Sequence, residues 1–509
     1  LVNSANALAS SGAISFAGGT LQYSANNTTD YSARFSTAAN QTYSIDTNGQ
    51  SITLATALTS SGGSMTKLGA GTLTLSAANS YTGGTTVSVG TLKLGNAAAL
   101  GASANTVSVT SSAVLDLNGQ TVTNTNPLTL NGTGITSAGA LINSSATAAS
   151  YAGTVALATN SSIGGTSGNI TLSGVISGSG TLTKVGTNSI TLSGNNTYSG
   201  ATTVSAGTLN ITNNNGLGAT SAGTTVASGA TLDLLNVAVG AETVTLNGGT
   251  LADATSSLAG DVTLTANSTI SVTNAADTFT MSGIISGTGF SVTKTGAGTL
   301  VLSGANIYTG GTIVSGGKLQ AGVASTGSAG SVTNGPFGTG TLTVQSGYTV
   351  DVNGYVVANA FNLSGAGLNS NGALINGTST ALTLPGAITL AADSTVSSTG
   401  DLTLSGLITS STGGLLFKNG GNYIISNASS SITIAATGVA SFTASNGTTL
   451  TVGTVNTVAG ISSAGAISIT ANAIVLSGNL TVTTSTTGGV SLLSKTNVTN
   501  TAYTTIGTQ

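Results

Sequence analysis

The chain has 509 residues, among them 74 Gly and 3 Pro but no Cys or His, and only 4% are charged against roughly 25% in ordinary globular domains. This excludes disulfides, thiol nucleophiles and the two commonest transition-metal ligands, while 8 Lys plus Arg against 11 acids cannot build a positive face for nucleic acid. No run of about 18 apolar residues offers a membrane-spanning helix, yet 39% of the residues are hydrophobic, enough for a core if each finds a partner in a neighbouring repeat.

The opening "LVNSANALAS" has no initiator Met, basic region or apolar region, so it reads as processed or as part of something longer. From Thr66 comes "TKLGAGTLTLSAANSYTGGTTVSVGTLKLG", which returns as "TKVGTNSITLSGNNTYSGATTVSAGTLNI" from Thr183 and "TKTGAGTLVLSGANIYTGGTIVSGGKLQ" from Thr293. Lys67, Lys184 and Lys294 fall in register, as do Tyr81, Tyr198 and Tyr308, and a worn copy, "FKNGGNYIIS", carries Lys418. Upstream, "ITLSGVISGSG" is matched by "FTMSGIISGTG" and "LTLSGLITSS"; downstream, "AVLDLNGQTV" is matched by "ATLDLLNVAV" and "YTVDVNGYVV". The whole interval from one lysine to the next is therefore the repeating unit.

Within each copy the apolar period is two. Leu73 and Leu75 alternate with Thr72 and Thr74, and Val87, Val89, Leu92 and Leu94 are read as pointing one way. Bounded by Gly and Asn, these are strands, and the step from Leu73 to Leu92 sets a coil length. The expectation is an all-β solenoid, a single elongated rod of about 24 coils at about 4.8 Å per coil. Residues 1–428 form the repeat region, with cores near 65–95, 182–211, 292–320 and 416–427; residues 429–509 are a divergent continuation.

The repeats resemble the passenger-associated β-helix repeats of bacterial autotransporters, whose pattern reads like "LTKxGxGTLTLSGxNTYTGGTTVSxGTL". The resemblance implies a right-handed parallel β-helix at the outer surface of a bacterium or secreted from it, as an adhesin or surface fibre, with its membrane anchor outside this segment.

Candidate chemistry is weighed against scaffold roles. Glycan-degrading β-helices need paired carboxylates, but the 11 acids are dispersed, and Asp116, Asp233 and Asp351 recur in one slot of the repeat, as a turn cap or solvated group would. "SMTK" and "SVTK" match S-x-x-K, but positions three apart on a strand face opposite sides. The lysines are read as solvated charges that discourage sheet pairing, and the three Tyr as loop anchors. Gly317-Lys318 lacks a phosphate-loop context, calcium nonapeptides are missing, and the outward Thr are read as too scattered for an ice-binding array. No catalytic, cofactor-binding or metal-binding residue is expected, and no cofactor or small-molecule substrate. The expected function is a structural or adhesive fibre without catalysis; the alternatives are a stalk displaying a separate adhesive tip, a glycan-degrading β-helix and an ice-binding solenoid. Neither end carries an evident cap, which predicts head-to-tail self-association or a longer parent chain.

Overall fold

The computed structural model describes residues 1–410 except 5, 6, 9 and 10, and beyond them strand segments within 415–508. It is an all-β parallel solenoid. Among the described residues there is no α-helix, only short 3-10 turns such as Ser32–Arg34. The chain divides into two compact units, Leu1–Leu251 and Ala252–Gln509.

In the first unit, strands stack coil on coil in parallel register, and like sits on like. One inner column runs Ile52, Leu73, Leu92, Leu115 and Leu141; a second runs Ile45, Lys67, Val87, Val109 and Leu130. The apolar members are buried, each full Leu or Val burial contributing roughly 1.5–3 kcal/mol. The expected phase holds: Leu73, Leu75 and Leu192 face inward while Thr72, Thr74 and Thr191 lie half-exposed. The second unit repeats the plan, with Phe279, Leu300, Leu319, Val350 and Leu374 in one inner column.

Three sequence readings need correction. Val89 does not join the inner face; it is 41% exposed, because Ser88 and Val89 form a corner before Gly90, whose φ of 75° starts the next strand. Among the described residues the coils number about 19, somewhat fewer than 24. The step from Leu73 to Leu92 is of the shortest kind, whereas those from Leu130 to Leu157 and from Val314 to Val344 are much longer, because loops extend the corners. Finally, outward hydroxyls are not scattered. Ser44, Thr66, Thr86, Ser108 and Thr129 form one registered column on successive coils, unevenly spaced in sequence because coil lengths vary; Ala156 interrupts it.

Glycines fix the corners where backbone lies on backbone. Gly153, Gly174 and Gly194 stack in successive coils, and a Cβ on Gly174 would collide with the carbonyl of Gly153. The repeated "SG" is therefore a contact between main chains. The worn copy around Lys418 lies largely outside the described residues. In the divergent continuation, strands such as Ile432–Ile434, Ile461–Ser463 and Leu480–Val482 pair in parallel.

Candidate functional site

The repeated stretch builds one polar cluster per copy, inside the coil. "M-T-K", "L-T-K" and "V-T-K" put the lysine in phase with an inward apolar residue, and Lys67, Lys184 and Lys294 are buried, not solvated as the sequence reading held. Each stem lies between an Ile in the preceding coil and a Val in the next: Ile45 and Val87, Ile163 and Val204, Ile270 and Val314. Burial of the stem is apolar packing, and the ammonium then needs acceptors.

They come from the main chain. Lys67 Nζ donates to the carbonyls of Leu68 (2.9 Å), Gly69 (2.6 Å) and Val89 (3.0 Å), and Lys184 Nζ to those of Val185 (3.0 Å), Gly186 (2.8 Å) and Ala206 (3.0 Å). Lys294 makes the first two, to Thr295 (2.9 Å) and Gly296 (2.7 Å). The glycine two positions after each lysine has a left-handed φ of 66°, 74° or 73°, turning two successive carbonyls inward. A second glycine closes the cage: a Cβ on Gly90 would lie 2.7 Å from Lys67 Nζ, and one on Gly207 2.8 Å from Lys184 Nζ. Desolvation pushes each lysine pKa down to about 8. At neutral pH the ammonium persists, with three donors on the backbone in the first two copies and two in the third.

Tyr81, Tyr198 and Tyr308 are buried loop anchors, as expected. Each hydroxyl bonds the Thr four positions on, Thr85 (2.6 Å), Thr202 (2.7 Å) and Thr312 (2.5 Å), and burial raises each pKa. Two positions before each Tyr stands an Asn that joins three coils. Asn79 accepts from Leu58 N (2.9 Å) and donates to Ala99 O (2.6 Å); Asn196 does the same with Ile176 N and Gly216 O, and Asn306 with Ile285 N and Pro336 O. The sequence reading missed these asparagines, though their fixed place in "N-x-Y" was the signal.

The aspartate slot is a turn device. Asp116 Oδ1 accepts from Asn118 N and Ser144 N, both at 3.0 Å, and Asp351 Oδ1 from Asn353 N (2.9 Å) and Gly377 N (3.1 Å). Lys93 lies 3.9 Å from Asp116 and Lys318 3.6 Å from Asp351. The pattern "D-x-N-G" also takes in Asp46, whose Oδ1 accepts from Asn48 N at 2.8 Å. In all three the Asn holds a left-handed φ of 45–50°, which Asn tolerates. Asp233, with "DLLN", departs from the pattern; it is half-buried and burial raises its pKa. Among the described residues no three His, Cys, Asp or Glu side chains gather as metal ligands would.

A solenoid whose recurring Lys and Asn bind its own main chain and whose recurring Tyr bind its own Thr side chains defines a class of repetitive scaffold. The chain carries three copies of the passenger-associated-transport-repeat, at residues 65–94, 182–211 and 292–321, which are the segments that build the three clusters. It is 33% identical over 280 residues to the adhesin BmaC autotransporter of Brucella suis biovar 1 (strain 1330), an alignment covering 53% of this chain and 7% of that protein. No solved structure matches.

Proposed function

We infer that this chain is a segment of a bacterial cell-surface or secreted fibre, with a structural or adhesive role and no catalysis. One observation carries the reading: the Lys, Tyr and Asn residues that recur with the repeat, and the Asp of the "D-x-N-G" turns, are held in internal hydrogen bonds, so they serve stacking instead of presenting reactive groups in a cleft. The repeat matches and the similarity to an autotransporter adhesin support the location and the adhesive role. Because the alignment spans 7% of that relative, a stalk within a longer passenger that displays a separate tip is a second form of the same proposal.

Immunogold labelling of intact cells with antibody against the full chain tests the location. Label on unpermeabilised cells supports it, and label only after permeabilisation overturns it. The absence of catalysis is tested with a panel of polysaccharides: cleavage that disappears in an Asp116→Asn, Asp233→Asn, Asp351→Asn triple variant would refute the scaffold role of that slot.

A further inference from the structure

The three copies act as internal controls for one another, and the third departs from the other two in the length of one coil. The coil from Val87 to Val109 and its counterpart from Val204 to Val226 are equal in length, whereas the one from Val314 to Val344 is longer. The extra length forms a hairpin, Thr326–Ser328 with Ser331–Asn334, turning at Gly330 (φ 76°) and tied by a 2.7 Å bond between the Thr326 and Thr333 hydroxyls. Among the described residues its two strands pair only with each other, and the first is fully exposed.

The surroundings change with it. Before the anchoring Tyr the first two copies have Ser80 and Thr197, the third Ile307; four and five positions after the slot Asp the first copy has Gln120 and Thr121, the second Val237 and Ala238, and the third the larger Tyr355 and Val356. These three are 47%, 37% and 41% exposed. They flank the feet of the hairpin: Ile307 follows Asn306, whose main chain is bridged to Gly335, and Val356 O accepts from Ser325 N at 2.8 Å. An insertion beside three exposed large apolar side chains, of which Ile307 replaces a polar residue of both other copies, marks a recognition element held by a rigid frame.

We propose that this hairpin and the Ile307, Tyr355 and Val356 side chains form a docking site for an extended, uncharged, apolar-containing peptide segment of another protein, which adds as a strand to the hairpin edge. The edge offers unpaired main-chain donors and acceptors, and another strand at about 4.7–4.9 Å satisfies them in sequence. No charged residue lies in 319–350, so nothing there repels a strand, as edge lysines do elsewhere. A device for self-association along the repeats would recur in every copy; this one occurs once. The proposal deepens the surface-fibre reading and rests on it only for the partner's lying outside the cell.

The test pans a random-peptide phage library on the full chain, then measures the enriched synthetic peptides on two variants. One deletes residues 326–333, restoring the shorter coil. The other, Ile307→Ser, Tyr355→Gln, Val356→Thr, restores first-copy residues and keeps the hairpin. The expected result is a loss of about tenfold or more in affinity for both variants, with peptide binding slowing hydrogen exchange at hairpin amides in the parent. Unchanged affinity, no enriched peptide, or protection confined elsewhere overturns the proposal. So does concentration-dependent dimerisation in sedimentation velocity that both variants abolish, since the occupant is then a second copy. None of these readouts depends on where the chain resides.

Discussion

Lys184→Met removes the charge from the second cage while nearly conserving the stem. The carbonyls of Val185, Gly186 and Ala206 lose Nζ, and no other donor among the described residues reaches them. Removing a buried charge is often harmless when its partner leaves too, but here the partners are main chain and stay. Three orphaned acceptors at about 2 kcal/mol each outweigh roughly 3 kcal/mol of relieved desolvation, leaving a net loss of about 3 kcal/mol. Lys93→Met, at a half-exposed side chain 3.9 Å from Asp116, costs less than about 1 kcal/mol. Because stacked repeats need not unfold as one unit, the assay is native-state hydrogen exchange at amides of Thr202–Val204 and Thr208–Ile211, with urea midpoints alongside. If Lys184→Met is as stable as the parent, or shifts no more than Lys93→Met, the cage does not hold the coil as described.

Three further outcomes are expected. Leu192→Asp buries an unpaired carboxylate and lowers stability by several kcal/mol, whereas Thr191→Asp on the opposite face changes it little; equal thermal shifts would show the strand phase to be wrong. Gly207→Ala combines a φ of 65° with a Cβ 2.5 Å from Asn188 O and 2.8 Å from Lys184 Nζ, so it destabilises by about 2 kcal/mol or more, read as a lower urea midpoint. The folded lysine pKa near 8 lies below the ordinary 10.5, so between those values the unfolded chain binds more protons and stability rises with pH. Below about pH 8 this contribution is flat. The buried Tyr hydroxyls, raised above 10, hold their protons when the unfolded chain has lost its own, so above that value the unfolded chain binds fewer protons and stability falls as pH climbs. Midpoints measured upward from neutral pH should climb between about pH 8 and 10 and turn down above it, and the climb should vanish in the combined variant Lys67→Met, Lys184→Met, Lys294→Met.

Much of this fold was legible in the chain because the apolar period and the stacking register are the same fact. Leu73 does sit beneath Leu92, and Leu192 and Thr191 divide inward and outward as alternation requires. The lysine position was legible too: Met65-Thr66-Lys67 places Lys67 on the Met65 face. The usual expectation that lysine meets water outweighed that pattern, and only the inward carbonyls of Leu68, Gly69 and Val89 show why it fails. Val89 misled in the opposite way, since the left-handed Gly90 resets the phase and the step of three from Val89 to Leu92 was its trace in the sequence. The asparagine bridges depend on groups a full coil away on either side, such as Leu58 and Ala99 around Asn79, which no local window contains.

The most direct test of the central claim, that the repeated stretch is kept to fill the interior of each coil, is amine labelling of the folded full chain read by peptide mass spectrometry. Lys93 and Lys318, with side chains about one-third exposed, should be modified while Lys67, Lys184 and Lys294 stay unmodified until the chain is unfolded. Labelling of all five at comparable rates in the folded protein would contradict the account.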